Sequence, residues 1–209
     1  MKISELAHLS GTSMPTIKFY VREGLLGGGE RLSETRTEYS SDHVHRLRLI
    51  RALLDVGKLP ISSVKVVLEA LEDPELPIGT TFDIAQHTLI SQSSHDTQEP
   101  SEESLVRVEA LVGRIGWSHG DTSIGRVIVA RVMDTFARLG QPLDDDYLDA
   151  YARAADQVAA ADLNAVSLVE DRFARTELVV IGTVLGDALA VGLRRLAHAS
   201  ATAERGMFT

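Results

Sequence analysis

The residues near the start of the chain whose types and spacing could do chemistry are cationic and aromatic. Three of them fall on one side of a predicted helix: Lys18, Phe19 and Arg22. Ile17, Tyr20 and Val21 form the apolar stripe of that helix, so the first three side chains are expected to point outward. Outward cations suit a DNA major groove, where they reach phosphates or guanine edges while an aromatic ring covers sugar or a thymine methyl. The pattern therefore indicates a DNA-recognition helix.

A recognition helix needs a second helix and a turn to hold it, and the neighbouring residues supply both. Ser13 is a suitable N-cap, Pro15 is tolerated in a first turn, and Gly24 is suited to end the helix. A short amphipathic helix is predicted over Lys2–Leu9, with a glycine-containing turn at 10–12. This arrangement is the helix-turn-helix pattern, although other small helical pairs show it by chance.

A wing is predicted after the recognition helix, over residues 25–40. Leu25–Leu26 would anchor it in the core, and the three glycines that follow would allow a sharp reversal. Two short strands would then pair, one beginning at Arg31 and the other at Arg36. These two arginines are candidates for contacts with the DNA backbone, which position a protein without reading sequence. The alternative is that both lie in a solvated loop.

Two more helices are predicted to complete this module. N-cap residue types at 40–42 begin a helix that ends at Gly57, and residues 59–63 precede a helix over 64–71. Lys58 lies between these helices and is a further candidate for a phosphate contact. The module is expected to end near Asp73.

The order and spacing of these residues resemble the N-terminal part of MerR-family transcription regulators. The resemblance covers roughly residues 1–72 and implies a winged helix-turn-helix fold. It also adds Thr16 and Tyr39 to the predicted DNA-binding residues. The matching stretches are Ile3–Ala7, Leu9–Gly11, Thr16–Tyr20, Arg22–Leu26, Arg31, Tyr39 and Val44–Arg51.

Some positions depart from the family pattern. The loop has glycines at 27–29 where a proline is usual, and residues 35–39 replace the common Gly-Tyr-Arg-x-Tyr, which shifts the wing arginine by one position. Val21 replaces a usual acidic residue, and Phe19 lacks the usual tyrosine hydroxyl. The predicted fold does not depend on these positions, whereas the phosphate contacts of the wing do.

The resemblance also implies a mode of action. It implies a homodimer that binds a near-palindromic promoter site in double-stranded DNA. Activation would proceed by distorting the DNA between promoter elements, with RNA polymerase as a partner and a small organic ligand as the effector. Simple repression fits equally well. A further alternative is a DNA-bound scaffold or repressor whose C-terminal part only dimerises or binds a partner protein.

Composition argues against several other classes of site. The chain of 209 residues contains no cysteine, which excludes disulfides, thiolate metal sites and thiol redox sensing. The seven histidines show no metal-ligand spacing, and no catalytic or phosphate-cradling motif occurs, so no metal, cofactor or enzymatic activity is predicted. The apolar stretch 178–193 is short for a bilayer and contains Asp187. With no signal peptide evident, a cytoplasmic protein without membrane association is predicted.

The charge of the chain is unevenly distributed. Residues 1–66 contain ten Lys/Arg and seven Asp/Glu, a net +3, whereas residues 67–209 contain eleven and twenty-three, a net −12. A mildly basic N-terminal part on an acidic remainder fits a DNA-binding module attached to a domain that stays off the duplex.

The C-terminal part, residues 78–209, is predicted to be entirely helical, with an exposed loop at about 92–103. The helix predicted at 124–139 is expected to be central, because it is apolar on more than one side. Gly182 and Gly186 on the last helix would let another helix approach closely, which suits a dimer surface or a core helix. Apolar periodicity predicts helices over 80–92, 101–115, 124–139, 144–158 and 170–201.

A ligand pocket between these helices would draw on the few aromatic residues of the C-terminal part and one acidic residue. Its candidate residues are Trp117, Phe136, Tyr147, Tyr151 and Asp187. Such a pocket would suit an apolar cation. The alternative is ordinary core packing, with Asp187 exposed or paired with Arg194 or Arg195. The whole chain is thus predicted to be mainly α, with a winged helix-turn-helix domain at 1–73 followed by an all-helical domain.

Overall fold

The computed structural model describes residues 1–33, 36–90, 99–118 and 123–205. The described chain is mainly helical, as predicted, with one short two-stranded sheet, and a π-helical turn at Ala52–Val56 extends the third helix. The helices are α1 Ile3–Ser10, α2 Met14–Arg22, α3 Ser41–Arg51, α4 Ile61–Glu72, α5 Ile78–Ile90, α6 Glu102–Ile115, α7 Ile124–Arg138, α8 Asp145–Ser167 and α9 Arg172–Glu204; the strands are β1 Glu30–Ser33 and β2 Arg36–Glu38.

The chain divides into two compact units. Unit 1 lies within residues 1–92 and 171–209, and unit 2 lies within residues 93–170. The division differs from the predicted boundary near Asp73, because α5 and α9 pack with each other and with α4, and α9 also packs with the π-helical turn. The N-terminal module thus packs against α9, a helix from the C-terminal part of the chain.

Unit 1 has a single core that combines the predicted DNA module with the first half of α9. Val180 and Val184 of α9 are fully buried in it. The predicted anchors of the wing, Leu25 and Leu26, are also buried there. The other buried apolar residues of this core are Leu6, Ile17, Tyr20, Val44, Leu47, Leu49, Ile50, Leu53, Leu59, Val64, Val67, Leu68 and Leu71.

Unit 2 is built from α6, α7 and α8. Helix α6 packs against both of the others. Helix α7, which was predicted to be central, instead leaves Ile128, Val132 and Phe136 more than a third exposed. The core is small because each helix contributes only one narrow stripe. Its buried residues are Val108, Leu111, Ala130, Met133, Leu148 and Ala152.

Most predicted helix ends lie close to the observed ones. Helix α4 begins at Ile61, three residues earlier than predicted, directly after the N-cap Pro60. Helix α8 continues to Ser167, beyond the last apolar residue of its predicted stripe. Of the predicted loop at 92–103, residues 92–98 lie outside the described residues, as do residues 119–122 beside Trp117.

One described helix, α9, is long and apolar enough to cross a membrane by length and composition alone. Core helices of soluble proteins meet the same criterion. The first half of α9 is a core helix, because Val180 and Val184 lie in the core of unit 1. The second half differs, since residues 187–200 are all exposed.

Candidate nucleic-acid interface

The helix-turn-helix begins with the caps that its sequence predicts. Gly11 ends α1 in the left-handed conformation, with φ of +64°. Ser13 then caps α2, since its Oγ accepts a hydrogen bond from the backbone N–H of Thr16 at 3.2 Å. The two hydroxyls of this pair lie 2.7 Å apart. The Thr16 side chain is therefore held at the N-terminus of α2.

Helix α2 has core residues on one face and cationic residues on the other. Ile17 and Tyr20 are buried, while Lys18 and Arg22 are exposed. Phe19 differs from its predicted outward position, because it is half-buried and packs against the core. The Arg22 guanidinium carbon lies 5.2 Å from the centre of the Phe19 ring. Phe19 thus supports the Arg22 side chain, which is itself 72% exposed.

Two arginines of α3 donate hydrogen bonds to backbone carbonyl groups of the helix-turn-helix. Arg48 Nη2 donates to the carbonyl of Leu9 at 3.1 Å, and Arg51 Nη1 donates to the carbonyl of Gly11 at 2.9 Å. Carbonyls at a helix C-terminus lack partners within the helix and carry partial negative charge, so cations suit them. Sequence reasoning did not assign these residues a role. The signal was their spacing of three along a helix, but it did not reveal which carbonyls they would meet.

The wing is present as an antiparallel pair of strands in which Arg31 lies opposite Thr37. Gly29 makes the tight entry to this hairpin, with φ of +74°. A Cβ at that position would lie 2.6 Å from the carbonyl oxygen of Glu38, so only glycine fits. At the far end, Met1 and Tyr39 exchange two backbone hydrogen bonds, which tie the hairpin to the N-terminus.

The structure describes the side chains of two of the three predicted contact residues of the wing, Arg31 and Tyr39. Arg31 is exposed, and its Nε lies 3.4 Å from the carbonyl oxygen of Ser33. Arg36 begins β2, but its side chain lies outside the described residues, as do residues 34–35 at the tip. Tyr39 is half-buried and packs edge-on against His43, with ring centres 5.2 Å apart.

His43 fastens the start of α3 to the wing. Its Nδ1 accepts a hydrogen bond from the backbone N–H of Ser40 at 3.1 Å, which completes a capping box. Burial lowers the pKa of His43, an effect that the nearby N-terminal amine reinforces and Asp42 opposes. The neutral ring that the cap requires is therefore favoured in the folded protein.

Lys58 is exposed at the turn that joins the π-helical segment to α4. Its φ is +57°, in the left-handed region that residues other than glycine rarely occupy. This conformation turns the chain so that the next residue, Leu59, returns to the core. The turn therefore holds Lys58 on the surface of unit 1.

The four aromatic residues predicted to line a ligand pocket are all exposed in unit 2. Trp117 is exposed and donates its Nε1–H to Asp156 at 2.9 Å. Tyr147 and Tyr151 stack with ring centres 4.8 Å apart, on the surface of α8. Phe136 is also exposed, on α7, and Asp187 belongs to the exposed half of α9 in unit 1.

The described residues contain no group of three His, Asp or Glu side chains placed to hold a metal ion. The effector pocket stays a prediction.

The N-terminal residues are similar to those of a known family. Residues 1–71 match the family described as MerR HTH family regulatory protein. The HTH-type transcriptional regulator HmrR of Sinorhizobium medicae (strain WSM419) is 32% identical over 73 residues, which are 35% of this chain and 49% of that protein. The chain thus spans about half the length of this curated relative.

A solved structure is similar over nearly the whole chain. It is SCO5550 of Streptomyces coelicolor A3(2), described as a candidate transcriptional regulator, with a TM-score of 0.72 and 29% identity over 98% of this chain and 97% of that one.

Proposed function

We propose that the chain, whose residues 1–71 match the MerR HTH family regulatory proteins, is a sequence-specific, DNA-binding transcriptional regulator. One observation supports this proposal more strongly than the others. Lys18 and Arg22 project from one face of α2 while Ile17 and Tyr20 lock the opposite face into the core. A helix held in this way presents cations to a major groove at little entropic cost. The function is one of binding and not of catalysis.

In the proposed complex, α2 enters the major groove. Arg22, supported by the Phe19 ring, reads a guanine edge, and Lys18 contacts phosphate. Thr16 and Tyr39 contribute from the helix N-terminus and the wing. The cations outside α2 contact the backbone of the duplex: Arg31, Arg36 and Lys58. Contacts of this kind fix the register of the protein on DNA.

The regulator acts, in this proposal, as a homodimer on a near-palindromic promoter site, with RNA polymerase as its partner in transcription. Two identical modules related by a two-fold axis read two half-sites of opposite orientation. Unit 2, residues 93–170, contains six Arg and fourteen Asp/Glu, and its net charge of −8 disfavours contact with the duplex. Activation by distorting the promoter and simple repression are both compatible with this arrangement.

The test is selection of bound duplexes from a random pool, followed by affinity measurements over a range of salt concentrations. A two-fold symmetric site is expected. Arg22→Ala should cost about 1–3 kcal/mol and relax the preference at one base pair. Lys18→Ala should weaken binding to all sequences and reduce the salt slope by about 1. Arg153→Ala is the matched control, because Arg153 is exposed on α8 of unit 2. Absence of any enriched site, or equal losses in the control, would refute the proposal.

A small organic effector belongs to the same proposal but rests on different residues. The chain has a single tryptophan, Trp117, so its emission reports on unit 2 alone. An apolar cation bound near the predicted residues should shift or quench that emission with a saturating dependence on concentration. The exposed positions of Trp117, Tyr147 and Tyr151 favour the alternative, in which unit 2 binds a partner protein. Emission that no ligand changes would support that alternative.

A further inference from the structure

One arginine of α3, Arg51, joins two distant segments of unit 1 through a single side chain. Its Nη1 donates to the carbonyl oxygen of Gly11 at 2.9 Å, and its Nε donates to Asp55 Oδ2 at 3.2 Å. Gly11 ends α1 and opens the turn before α2, whereas Asp55 belongs to the π-helical turn that follows α3. The guanidinium therefore connects the turn before the recognition helix to a segment much later in the chain.

The π-helical turn holds Asp55 in a defined position. The backbone N–H of Gly57 donates to the carbonyl oxygen of Ala52, five residues earlier, at 3.0 Å. The N–H of Leu59 donates to the carbonyl oxygen of Leu53 at 3.1 Å, and both leucines are buried in the core. Turns of this kind are rare and occur frequently at functional sites. The turn thus gives the guanidinium a firmly held acidic partner.

Gly11 leaves little more than the room that the guanidinium needs. A Cβ at this position would lie 3.1 Å from Arg51 Nη1, and the φ of +64° is one that favours glycine. Arg48 makes a similar contact, since its Nη2 donates to the carbonyl oxygen of Leu9 at 3.1 Å. Two cations of one helix thus contact the carbonyl groups on either side of Ser10, where a helix C-terminus carries partial negative charge.

The charges of Arg51 and Asp55 also reach α2 itself. Tyr20 lies on the buried face of that helix. Burial raises the pKa of its phenol, the carboxylate of Asp55 raises it further, and the guanidinium of Arg51 opposes this effect. The pair therefore lies close both to the turn that precedes the recognition helix and to the face by which that helix is fixed in the core.

We propose that Arg51 and Asp55 are positioning residues for DNA binding. They hold Gly11, and through it the start of α2, in the place from which the exposed cations of that helix reach the duplex. The inference rests on the proposed function, because it assigns both residues to the same interface. A helix-turn-helix places the first residues of its second helix against base edges. Groups that recognise a ligand must be held to within about 0.5 Å, so a displaced turn would weaken every contact of the helix.

A direct contact between Arg51 and a DNA phosphate is the competing explanation. The two explanations predict opposite effects of removing the neighbouring carboxylate. If Arg51 positions the turn, loss of Asp55 removes one of its two anchors, and the affinity for DNA falls. If Arg51 binds phosphate, loss of Asp55 frees the guanidinium and removes a repulsive charge, so the affinity rises. The sign of the change therefore separates positioning from contact.

The test measures the affinity of the full chain for the selected duplex over a range of salt concentrations. Arg51→Ala and Asp55→Ala should each weaken binding about threefold to tenfold. The salt dependence should stay that of the wild type, because no phosphate contact is lost. Arg51→Lys should not restore the affinity, since an ammonium lacks the planar fork that reaches two acceptors. Glu69→Ala is the matched control, because it removes the same charge from an exposed position on α4.

Three results would overturn the inference. They are an affinity that rises more in Asp55→Ala than in Glu69→Ala, a salt slope reduced by about 1 in Arg51→Ala, and a full recovery in Arg51→Lys. Wild-type affinity in both alanine variants would overturn it as well. A wild type that binds no duplex would instead refute the proposed function, and this inference with it.

A loss of folding is separated from a loss of positioning by two further measurements. The Arg51 and Asp55 side chains are 44% and 58% exposed, so the urea midpoint of either alanine variant should change little. Amide hydrogen exchange should become faster at Thr12, whose N–H donates to the carbonyl oxygen of Ala7, while exchange in α4 stays unchanged. A loss of affinity that merely follows the unfolded fraction would show that the pair only stabilises the fold.

Discussion

Gly57 packs directly against Val184, so that a Cβ added to Gly57 would lie 2.3 Å from Val184 Cγ1. Gly57 ends the π-helical turn of the DNA-binding module, and Val184 lies on α9, more than a hundred residues later in the chain. The contact therefore joins the N-terminal module to α9, the last described helix.

Gly57→Ala should destabilise unit 1. The backbone of Gly57 has φ of −69°, which alanine adopts freely, so the expected cost comes from collisions with Val184 Cγ1 and with the backbone carbonyl oxygen of Leu53, which the Cβ would approach to 2.8 Å. Overpacking of this kind typically costs about 1–3 kcal/mol. Urea denaturation of the full chain measures it. Gly113→Ala is the control, because a Cβ there would meet nothing within 4 Å and should be neutral or stabilising. A stability unchanged by Gly57→Ala would contradict this account of the contact.

Gly29→Ala should impair the wing without unfolding the helices. The new Cβ would meet the backbone of Glu38 at 2.6 Å, and the left-handed φ of +74° would be strained. Affinity for the selected duplex should fall and become less dependent on salt, because the cations of the wing would be displaced. Gly28→Ala is a close control, since its Cβ would touch only Val21, at 4.0 Å. Unchanged DNA affinity in Gly29→Ala would argue against a role of the wing in binding.

The cap formed by His43 should make stability depend on pH. Burial holds the folded-state pKa of His43 below its ordinary value of 6.5. The stability that the neutral ring contributes is thus complete above that value and is lost as pH falls through the lowered pKa. His43→Gln should flatten this dependence, because glutamine accepts the same hydrogen bond from Ser40 at every pH. Melting temperatures between about pH 8 and pH 5 test it, with His8→Gln as the control. Parallel pH curves for wild type and His43→Gln would disprove the assignment.

Asp134 should stabilise unit 2 through the N-terminus of α6. Its carboxylate accepts hydrogen bonds from the backbone N–H and hydroxyl of Ser101 and from the hydroxyl of Ser104. These bonds, led by those from the two hydroxyls, lower the pKa of Asp134 from 3.8 to about 2. The stabilisation is complete above 3.8 and disappears as pH falls through about 2.

Asp134→Asn should therefore lower the stability of unit 2 at neutral pH, and its difference from wild type should shrink in acid. Emission of Trp117, which lies in unit 2, follows the transition. Asp146→Asn is the control, since Asp146 is exposed in the first turn of α8. A difference between Asp134→Asn and wild type that stays constant down to about pH 2 would show that the carboxylate charge is not responsible.

Features that depend on neighbouring residues were predictable from the sequence. Ser13 and Gly24 mark the beginning and the end of the recognition helix, as predicted. Gly24 adopts the left-handed conformation just after it. Asp144 caps α8 through the N–H of Tyr147. Caps and apolar stripes act within one or two turns of a helix, so the local order of residues suffices to specify them.

Contacts between residues that are distant in the sequence could be identified only from the tertiary structure. An apolar stripe shows that a face will be buried, but it does not say against which element, and α9 therefore joined unit 1 instead of unit 2. The same holds for Arg48 and Arg51, which were recognisable as cations on a helix but not as donors to the carbonyls of the helix-turn-helix. The sequence by itself determined the helix-turn-helix module and its cationic helix, because their signals are local. Packing alone decided that the last helix completes that module, because burial is a property of the assembled fold.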